Sequence, residues 1–305
     1  MERLELTVTA EVAGCRLDKG LALLAPELSR SQIQTLAEKG SITQNGAAAG
    51  KKSTLNEGDR IVITLPDPVP TGTQAENIPL EIVYEDEHIL LADKAPGVLC
   101  HSAEPWDYNT LITNIQAYLY QKGEWKPAEE NAFAPALCNR IDRNTGGIVI
   151  AAKNAEALRI MDDKVKNREI EKIYLAAVVG VPRPAAGRLE GYLFKDAKNN
   201  QVYVYDTPRT GTKTAVTEYR TLATDGRLTL VECRLITGRT HQIRVQLASR
   251  GLPLCGDRKY GAESGGDIGL FAWRLSFCHP DGTELCFTLP EALLPEELRA
   301  AFLAN

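Results

Sequence analysis

The chain lacks any apolar stretch near the ~20 residues that a membrane span needs. Its first residues, MERLELTVTAEV, have neither a basic start nor an apolar core. No membrane partner and no secretory leader are expected. Paired cysteines are missing too: the seven, at 15, 100, 138, 233, 255, 278 and 286, form no CxxC. That pattern excludes a disulfide frame or a zinc site and points to reduced thiols in a cytoplasm. There is no Walker loop, no GxGxxG and no cluster of metal-ligating side chains, so neither a metal nor any other cofactor is expected. Positive charge is also short. A formal net charge of −5 argues mildly against a nucleic-acid partner, but phosphate is bound by local patches rather than by totals.

What is present is ordinary for a globular chain: 305 residues, 44% hydrophobic and 25% charged. That length allows one large domain plus a small module. Residues 66–79, PDPVPTGTQAENIP, carry four prolines and little apolar content, the signature of a linker. The expected organisation is a small module over 1–66, a linker over 67–79 and a large domain over 80–305.

In the small segment, Leu17, Leu21 and Leu24 share one face of a helix expected over 17–24. A turn follows at 25–28, and Ser29 is placed to N-cap a second helix with Gln32 completing a capping box. Gly40 ends that helix. Short strands are expected at 41–44 and 60–65, with Asn45-Gly46 as a hairpin turn. The cations Arg16, Lys19, Arg30, Lys39, Lys51, Lys52 and Arg60 make this segment slightly positive inside a negative chain, although a solvated helix face would look the same. From about Leu80 on, strand-like runs dominate: IVYEDEHILLADK, GGIVIAAK, KIYLAAVVG, TAVTEYRTL and LTLVECRLI. Helices are read in NTLITNIQAYLYQKG and NAEALRIMDDKVKN. Many strands with few helices between them indicate an α+β domain with a mostly antiparallel, mixed sheet.

Three stretches can carry chemistry. In CNRIDRNTGGIVIAA, Asp142 lies between Arg140 and Arg143, just before Gly146-Gly147 and an apolar run without alternation. Such a run reads as a strand buried on both faces, and an acid anchored to it is held rigidly. An arginine close by would keep it ionised. The same pattern also fits a structural ion pair beside a turn. In TGRTHQIRVQLASRGLPLCGDRKYG, strand-like alternation would put Arg239, His241 and Ile243 on one face and Thr240, Gln242 and Arg244 on the other. At least one cationic face should then meet a phosphate or a catalytic carboxylate, unless the segment is a solvated edge strand. In EKIYLAAVVG, Tyr174 follows Lys172 at the head of an apolar run. A tyrosine there is ordinarily core, and otherwise a ring on which a base stacks.

Together with PLEIVYEDEHILLADKAPGVLCH, these stretches resemble, in order over about 80–289, the RluA-type pseudouridine synthases. Arg140-x-Asp142-Arg143-x-Thr145-x-Gly147 looks like the catalytic motif and Lys172-x-Tyr174 like the tyrosine motif. Gly238-Arg239-Thr240-His241-Gln242-Ile243-Arg244 followed by Gly256-Asp257-x-x-Tyr260-Gly261 looks like the third. The N-terminal RLDKGLA, SRSQIQTLAEKGSITQNG and LNEGDRIVI resemble the small RNA-binding module named after a ribosomal small-subunit protein. Several positions depart from the family pattern: Asn139 for a common histidine, Gly146 for serine, Asp93-Lys94-Ala95 for Asn-Lys-Pro and Ser102 for proline. These leave subfamily and target site open.

The resemblance implies an α+β catalytic domain with a central cleft, an α/β N-terminal RNA-binding module, and isomerisation of uridine to pseudouridine in structured RNA. Large-subunit ribosomal RNA is the favoured partner, with transfer RNA the alternative. It implies Asp142 as catalytic acid, acting as nucleophile or as base on the ribose, with attack on sugar, attack on base and a glycal-type route all open. It also implies Arg239 as its charge partner and Tyr174 as the ring stacking on the extruded uracil and aiding proton transfer from carbon five. Ile243 is expected to form an apolar wall, and Arg140, Arg143, Arg244 and Lys94 to contact phosphates. In the small module the matching cations are Arg16, Arg30 and Lys39, with Lys51 and Lys52 nearby. A non-catalytic RNA-binding or ribosome-assembly factor is disfavoured because Asp142, Tyr174 and Arg239 occur together. A glycosidase normally needs a second acid across the scissile bond, and none is evident.

Overall fold

The computed structural model describes residues 3–26, 28, 30–50, 52–65, 80–101, 109–127, 133–196, 199–261 and 267–290. The expected linker, the Ser29 cap, the Gln32 side chain and Lys51 fall outside the described residues.

The first sheet has four antiparallel strands, β1 (Arg3–Thr7), β2 (Ile42–Gln44), β3 (Ala47–Ala48) and β4 (Arg60–Thr64), in the order β1-β4-β2-β3. Helices α1 (Leu17–Leu24) and α2 (Arg30–Glu38) pack on it. Leu17, Leu21, Ile33, Ile42, Ile61 and Ile63 close a hydrophobic core drawn from residues 4–65 alone. The hairpin between β2 and β3 turns through Asn45 at φ 54° and Gly46 at φ 84°, as the Asn-Gly pair requires.

The second sheet has eleven strands and holds a core on each face. Its path runs β11 (Gln201–Tyr205), β10 (Ala186–Asp196), β12 (Lys213–Thr224), β13 (Leu228–Leu235), β9 (Glu171–Val179), β14 (Leu270–Cys278), β8 (Gly146–Ala152), β6 (Ile89–Lys94), β5 (Glu81–Glu85). The short β7 (Ala136–Leu137) pairs with β8, and β15 (Glu284–Thr288) with β14. Of the pairs among described residues, only β8 with β14 is parallel. Helices α3 (Leu111–Gln121) and α5 (Gln242–Ala248) contribute to the core on one face, and α4 (Ala155–Asn167) to the core on the other.

The run before which Asp142 sits behaves as its composition demands. In β8, Val149 and Ala151 enter one core while Ile148, Ile150 and Ala152 enter the other. Burying each Val or Ile contributes roughly 1.5–3 kcal/mol, so register is firmly set. Of the first two residues of β8, Gly147 must be glycine and Gly146 is tightly packed. At Gly147, φ is +113° and a Cβ would lie 2.3 Å from the carbonyl oxygen of Ala272 on β14. At Gly146 a Cβ would meet the Phe271 ring at 2.9 Å. The expected tight bend is therefore also a close approach of two strands.

Helix α4 is N-capped by Asn154, whose side chain accepts from the Ala157 amide at 2.8 Å. It ends at Arg168 in the left-handed region, φ 63°, where glycine is usual and a side chain costs about 1 kcal/mol. Lys164 and Lys166 in its last turn complement the helix dipole. Among the described residues, no helix is long and apolar enough to cross a membrane.

The stretch 237–244 corrects the strand expectation: α5 starts at Gln242, with His241 as its N-cap at φ 52°. Its buried polar groups are satisfied by β12 rather than by solvent. Gln242 donates to Val216 O at 3.0 Å and to Thr217 Oγ1 at 2.9 Å. One turn on, Gln246 donates to Leu189 O and Ala215 O and accepts from Thr217 Oγ1.

Lys94 is a second correction. It is not a phosphate contact: it is 1% exposed, and its ammonium donates to Ala95 O at 2.9 Å, Val98 O at 2.8 Å and Arg143 O at 2.9 Å. It ties the end of β6 to the turn that carries Asp142. Burial, opposed by the charge of Asp142 among others, lowers its pKa from 10.5 to about 8.

The native chain should then release that proton before the unfolded one does. Below about pH 8 both states hold it; between about pH 8 and 10.5 the unfolded chain binds more protons, so stability rises with pH. Urea unfolding of the wild type and Lys94→Met across this range should show the wild type gaining stability relative to the variant only above pH 8. A flat difference would mean that the three carbonyls hold the ammonium charged.

Candidate active site

The turn between β7 and β8 is clamped at each residue that brackets Asp142. The Cys100 thiol donates to Ile141 O at 3.4 Å and accepts from the Ile141 amide at 3.5 Å. Gly97 N–H donates to Arg143 O at 2.8 Å, and Arg143 Nε returns a bond to Gly97 O at 3.0 Å. Asp142's own carbonyl accepts from the Thr145 amide at 3.1 Å. Asn139, in place of the family's common histidine, accepts the Ile150 amide at 2.8 Å and so fastens the turn to β8.

The Asp142 carboxylate, 27% exposed, lines a cleft of about 910 Å³. Arg244 Nη1 donates to its Oδ2 at 3.1 Å, and His241 Nε2 stands 3.8 Å from the same oxygen. Arg244 is buried and forks onto Asp257, Nε to Oδ2 at 2.7 Å and Nη2 to Oδ1 at 2.9 Å. Burial works against the guanidinium's charge, but Asp257 and Asp142 outweigh it. One buried cation thus serves two carboxylates. Removing it would strand both, a loss of about 3–5 kcal/mol.

The charge partner is therefore Arg244, not Arg239. Arg239 precedes α5, and its Nε donates to Thr214 O at 3.1 Å on β12. Arg239 does line the cleft, but the start of a helix at 242 turns Arg244 inward to Asp142. Nothing in the strand alternation distinguished the two.

His241 is oriented from behind. The Val202 amide donates to Tyr260 Oη at 3.0 Å, and Tyr260 Oη lies 2.8 Å from His241 Nδ1. With the phenol oxygen already accepting from Val202, its hydrogen is free for Nδ1, which leaves the imidazole's N–H on the Nε2 side facing Asp142. Burial pulls the His241 pKa below its usual 6.5, although Asp142 pushes the other way. Asp257 and Tyr260 belong to the Gly256-Asp257-x-x-Tyr260 signature, where sequence reasoning gave them no role. The acid in that signature was the available signal.

Tyr174 lies on β9 with its ring 8% exposed at the cleft lining, on the same core face as Ile243. Burial, then the charge of Asp142, pushes its hydroxyl pKa well above 10. Ile243 lines the cleft and is 3% exposed. Of the expected phosphate contacts, Arg140 lies exposed at the lining. Arg143 is exposed but outside the lining, bonded to Gly97 O. In the small sheet, Arg16 and Arg30 both reach fully buried Asp18, which also accepts from Gln34 at 2.8 Å. The two arginine side chains remain about half exposed. Lys39 and Lys52 are exposed.

Comparison with known proteins gives the family. The family model described as RNA pseudouridylate synthase matches residues 88–249, more than half of the chain. The chain is 33% identical over 301 residues to the uncharacterised RNA pseudouridine synthase YlyB of Bacillus subtilis, covering 98% of this chain and 96% of that protein. It is 31% identical over 312 residues to a ribosomal large subunit pseudouridine synthase D of Zymomonas mobilis, again covering 98% and 96%. Among solved structures, human RNA pseudouridylate synthase domain containing 4 has a similar fold, with a TM-score of 0.60 at 21% identity over 73% of this chain and 92% of that one. The motif order, the sheet and these relatives agree: the chain belongs to the RNA pseudouridylate synthase family and is an RNA pseudouridine synthase, an isomerase acting on RNA.

Proposed function

We propose that Asp142 carries the isomerisation, that Arg244 holds it in place, and that Tyr174 is the ring on which the extruded uracil stacks. The observation that carries this reading is the asymmetry of the carboxylate. Both polar groups that approach Asp142 from α5 and its cap converge on Oδ2. Oδ1 has no protein partner among the described residues and is left for the nucleotide. A cleft of about 910 Å³ admits a flipped nucleoside, whose unstacking costs a few kcal/mol.

The reaction breaks the N1–C1′ bond of uridine and forms a C5–C1′ bond; carbon five loses a proton and N1 gains one. A phenol raised as far as Tyr174 keeps its own proton at neutral pH. It therefore contributes stacking and a hydrogen bond rather than a base, and the proton on carbon five falls to a carboxylate oxygen of Asp142. Arg244 fixes the carboxylate's orientation through both stages.

Large-subunit ribosomal RNA is the proposed substrate, because the Zymomonas mobilis relative and one from Nitrosomonas europaea, 33% identical over 312 residues, carry that name. The segment 1–66 is proposed to bind structured RNA through Arg16 and Arg30, both bonded to Asp18, together with Lys39, Lys51 and Lys52. All seven cysteines are free, in keeping with a reducing cytoplasm.

Asp142→Asn should lower pseudouridine formation in a large-subunit RNA transcript by about a thousand-fold or more, read by tritium release from 5-tritiated uridine. Melting temperature and RNA affinity should stay close to wild type. Turnover near wild type would exclude Asp142.

Arg244→Lys keeps one charge but loses the fork, and should cost about a hundred-fold or more in kcat. Arg239→Lys should cost no more than about ten-fold. The reverse ranking in the same assay would return the partner role to Arg239.

Removal of residues 1–66 should raise the Kd for the transcript about ten-fold or more while leaving kcat at saturating RNA within about three-fold. Unchanged affinity and site choice, read by carbodiimide primer extension, would deny the segment its role.

A further inference from the structure

The cations that line the cleft fall into two groups. Arg239 and Arg244 are engaged by Thr214 O and by the two carboxylates. Arg140, Lys166, Arg168 and Lys172 also line it, and among the described residues none of the four has a carboxylate or a side-chain hydrogen-bond partner. Three of them, Lys166, Arg168 and Lys172, lie on the stretch from the last turn of α4 to the start of β9. Elsewhere in a chain of net charge −5, many cations are paired with carboxylates, as in Arg220–Glu232, Arg188–Glu218 and Lys153–Glu85. Here it leaves a row unpaired along one wall of the reaction cleft.

Two of the three are held at a cost. Arg168 adopts φ 63°, where glycine would be free of strain. Its neighbours Lys164 and Lys166 suit the helix C-terminus electrostatically, but a helix end gives no reason for an arginine in place of the usual glycine. Lys172 is half-buried, and burial alone, with no neighbouring charge in support, pulls its pKa down. A desolvated ammonium without an anion is destabilising unless a ligand supplies one. Lys172 and Tyr174 point to the same face of β9, two residues or about 7 Å apart. That places the ammonium within reach of a phosphate of the nucleotide whose base stacks on the tyrosine.

We propose that Lys166, Arg168 and Lys172 form a phosphate-binding wall that guides the RNA strand flanking the target uridine across the end of α4 into the cleft. Lys172 takes the phosphate nearest the flipped nucleotide, and Arg168 and Lys166 take those that follow. This rests on the reading of Asp142 and Tyr174 as the catalytic centre. The partner is a single-stranded RNA backbone, recognised by its charge and not by its bases.

The test uses the full chain and a fluorescein-labelled 12-nucleotide oligouridylate, so that it does not depend on knowing the natural site. The triple variant Lys166→Ala, Arg168→Gly, Lys172→Met should bind it about ten-fold or more weakly at 100 mM salt. The slope of log affinity against log salt should become shallower by about two, at roughly 0.7 per lost phosphate contact. Arg227→Ala, a charge removed beyond the far end of β9, is the control and should leave the slope unchanged. Arg168→Gly alone should keep or raise the melting temperature while weakening binding, which a merely structural arginine would not do.

On the large-subunit transcript the triple variant should raise KM, with kcat within about three-fold of wild type, and Lys172→Arg should restore most of the loss relative to Lys172→Met. A salt slope equal to that of Arg227→Ala, or a fall in kcat at unchanged KM, would overturn the wall. If Asp142→Asn keeps full activity while the triple variant still loses binding, the catalytic assignment fails and the wall stands.

Discussion

A single guanidinium organises this active site. Arg244 has to be buried to reach Asp142, and a buried cation is tolerable only when its hydrogen bonds are satisfied. Asp257 takes two of them and Asp142 the third. The three residues come from α5, from the loop after it and from the turn before β8, with Arg244 and Asp142 separated by 102 positions. The pairing therefore forms only when the helix has docked on the sheet. With Asp142 as the proposed catalytic acid, fold and site are completed by the same contact, and the fork leaves Asp142 little freedom in how its Oδ2 is aimed.

That constraint would be wasted on a flexible turn. The backbone from Ile141 to Arg143 is instead held by Cys100, by Lys94 and by Gly97, each through a different chemistry: a thiol, an ammonium shared among three carbonyls, and a reciprocal amide and guanidinium pair. β8 behind it is sealed into two cores, and its glycines let β14 approach until no side chain fits. Rigid support below and a charged fork beside leave one carboxylate oxygen open, which is the preorganisation that electrostatic catalysis needs.

Sequence periodicity was enough for α1 and α4, and for β8 an unbroken apolar run after a glycine turn was enough. It failed at α5. Seven residues are two helical turns, and with glutamines facing β12 the buried side of the helix is polar. The strand-like alternation of Arg239, His241 and Ile243 was the false signal. The wrong arginine followed from the wrong period, since the reach of Arg244 depends on helical phase. Lys94 misled for another reason: backbone carbonyls are invisible in a sequence, and three of them make an ideal lysine site. Strand β10 and the edge strand β11 escaped notice because β10 turns five of its eleven residues to water and β11 is only five residues long.

Charge partition explains how an acidic chain can act on RNA. Several cations that build the molecule are matched with carboxylates or carbonyls: Arg220 with Glu232, Lys153 with Glu85, Lys94 with its carbonyl cage. Matched charges cancel at short range and contribute little field beyond a Debye length. Unmatched ones do not cancel. Where they stand together on one low-dielectric wall, the local potential is set by them and not by the sum over the surface. With the proposed wall, a phosphate backbone meets unpaired cations at the cleft despite the formal total of −5. An acidic total then favours the places where cations stand unpaired, the proposed wall beside Asp142 and the cations of the small module, over the rest of the surface.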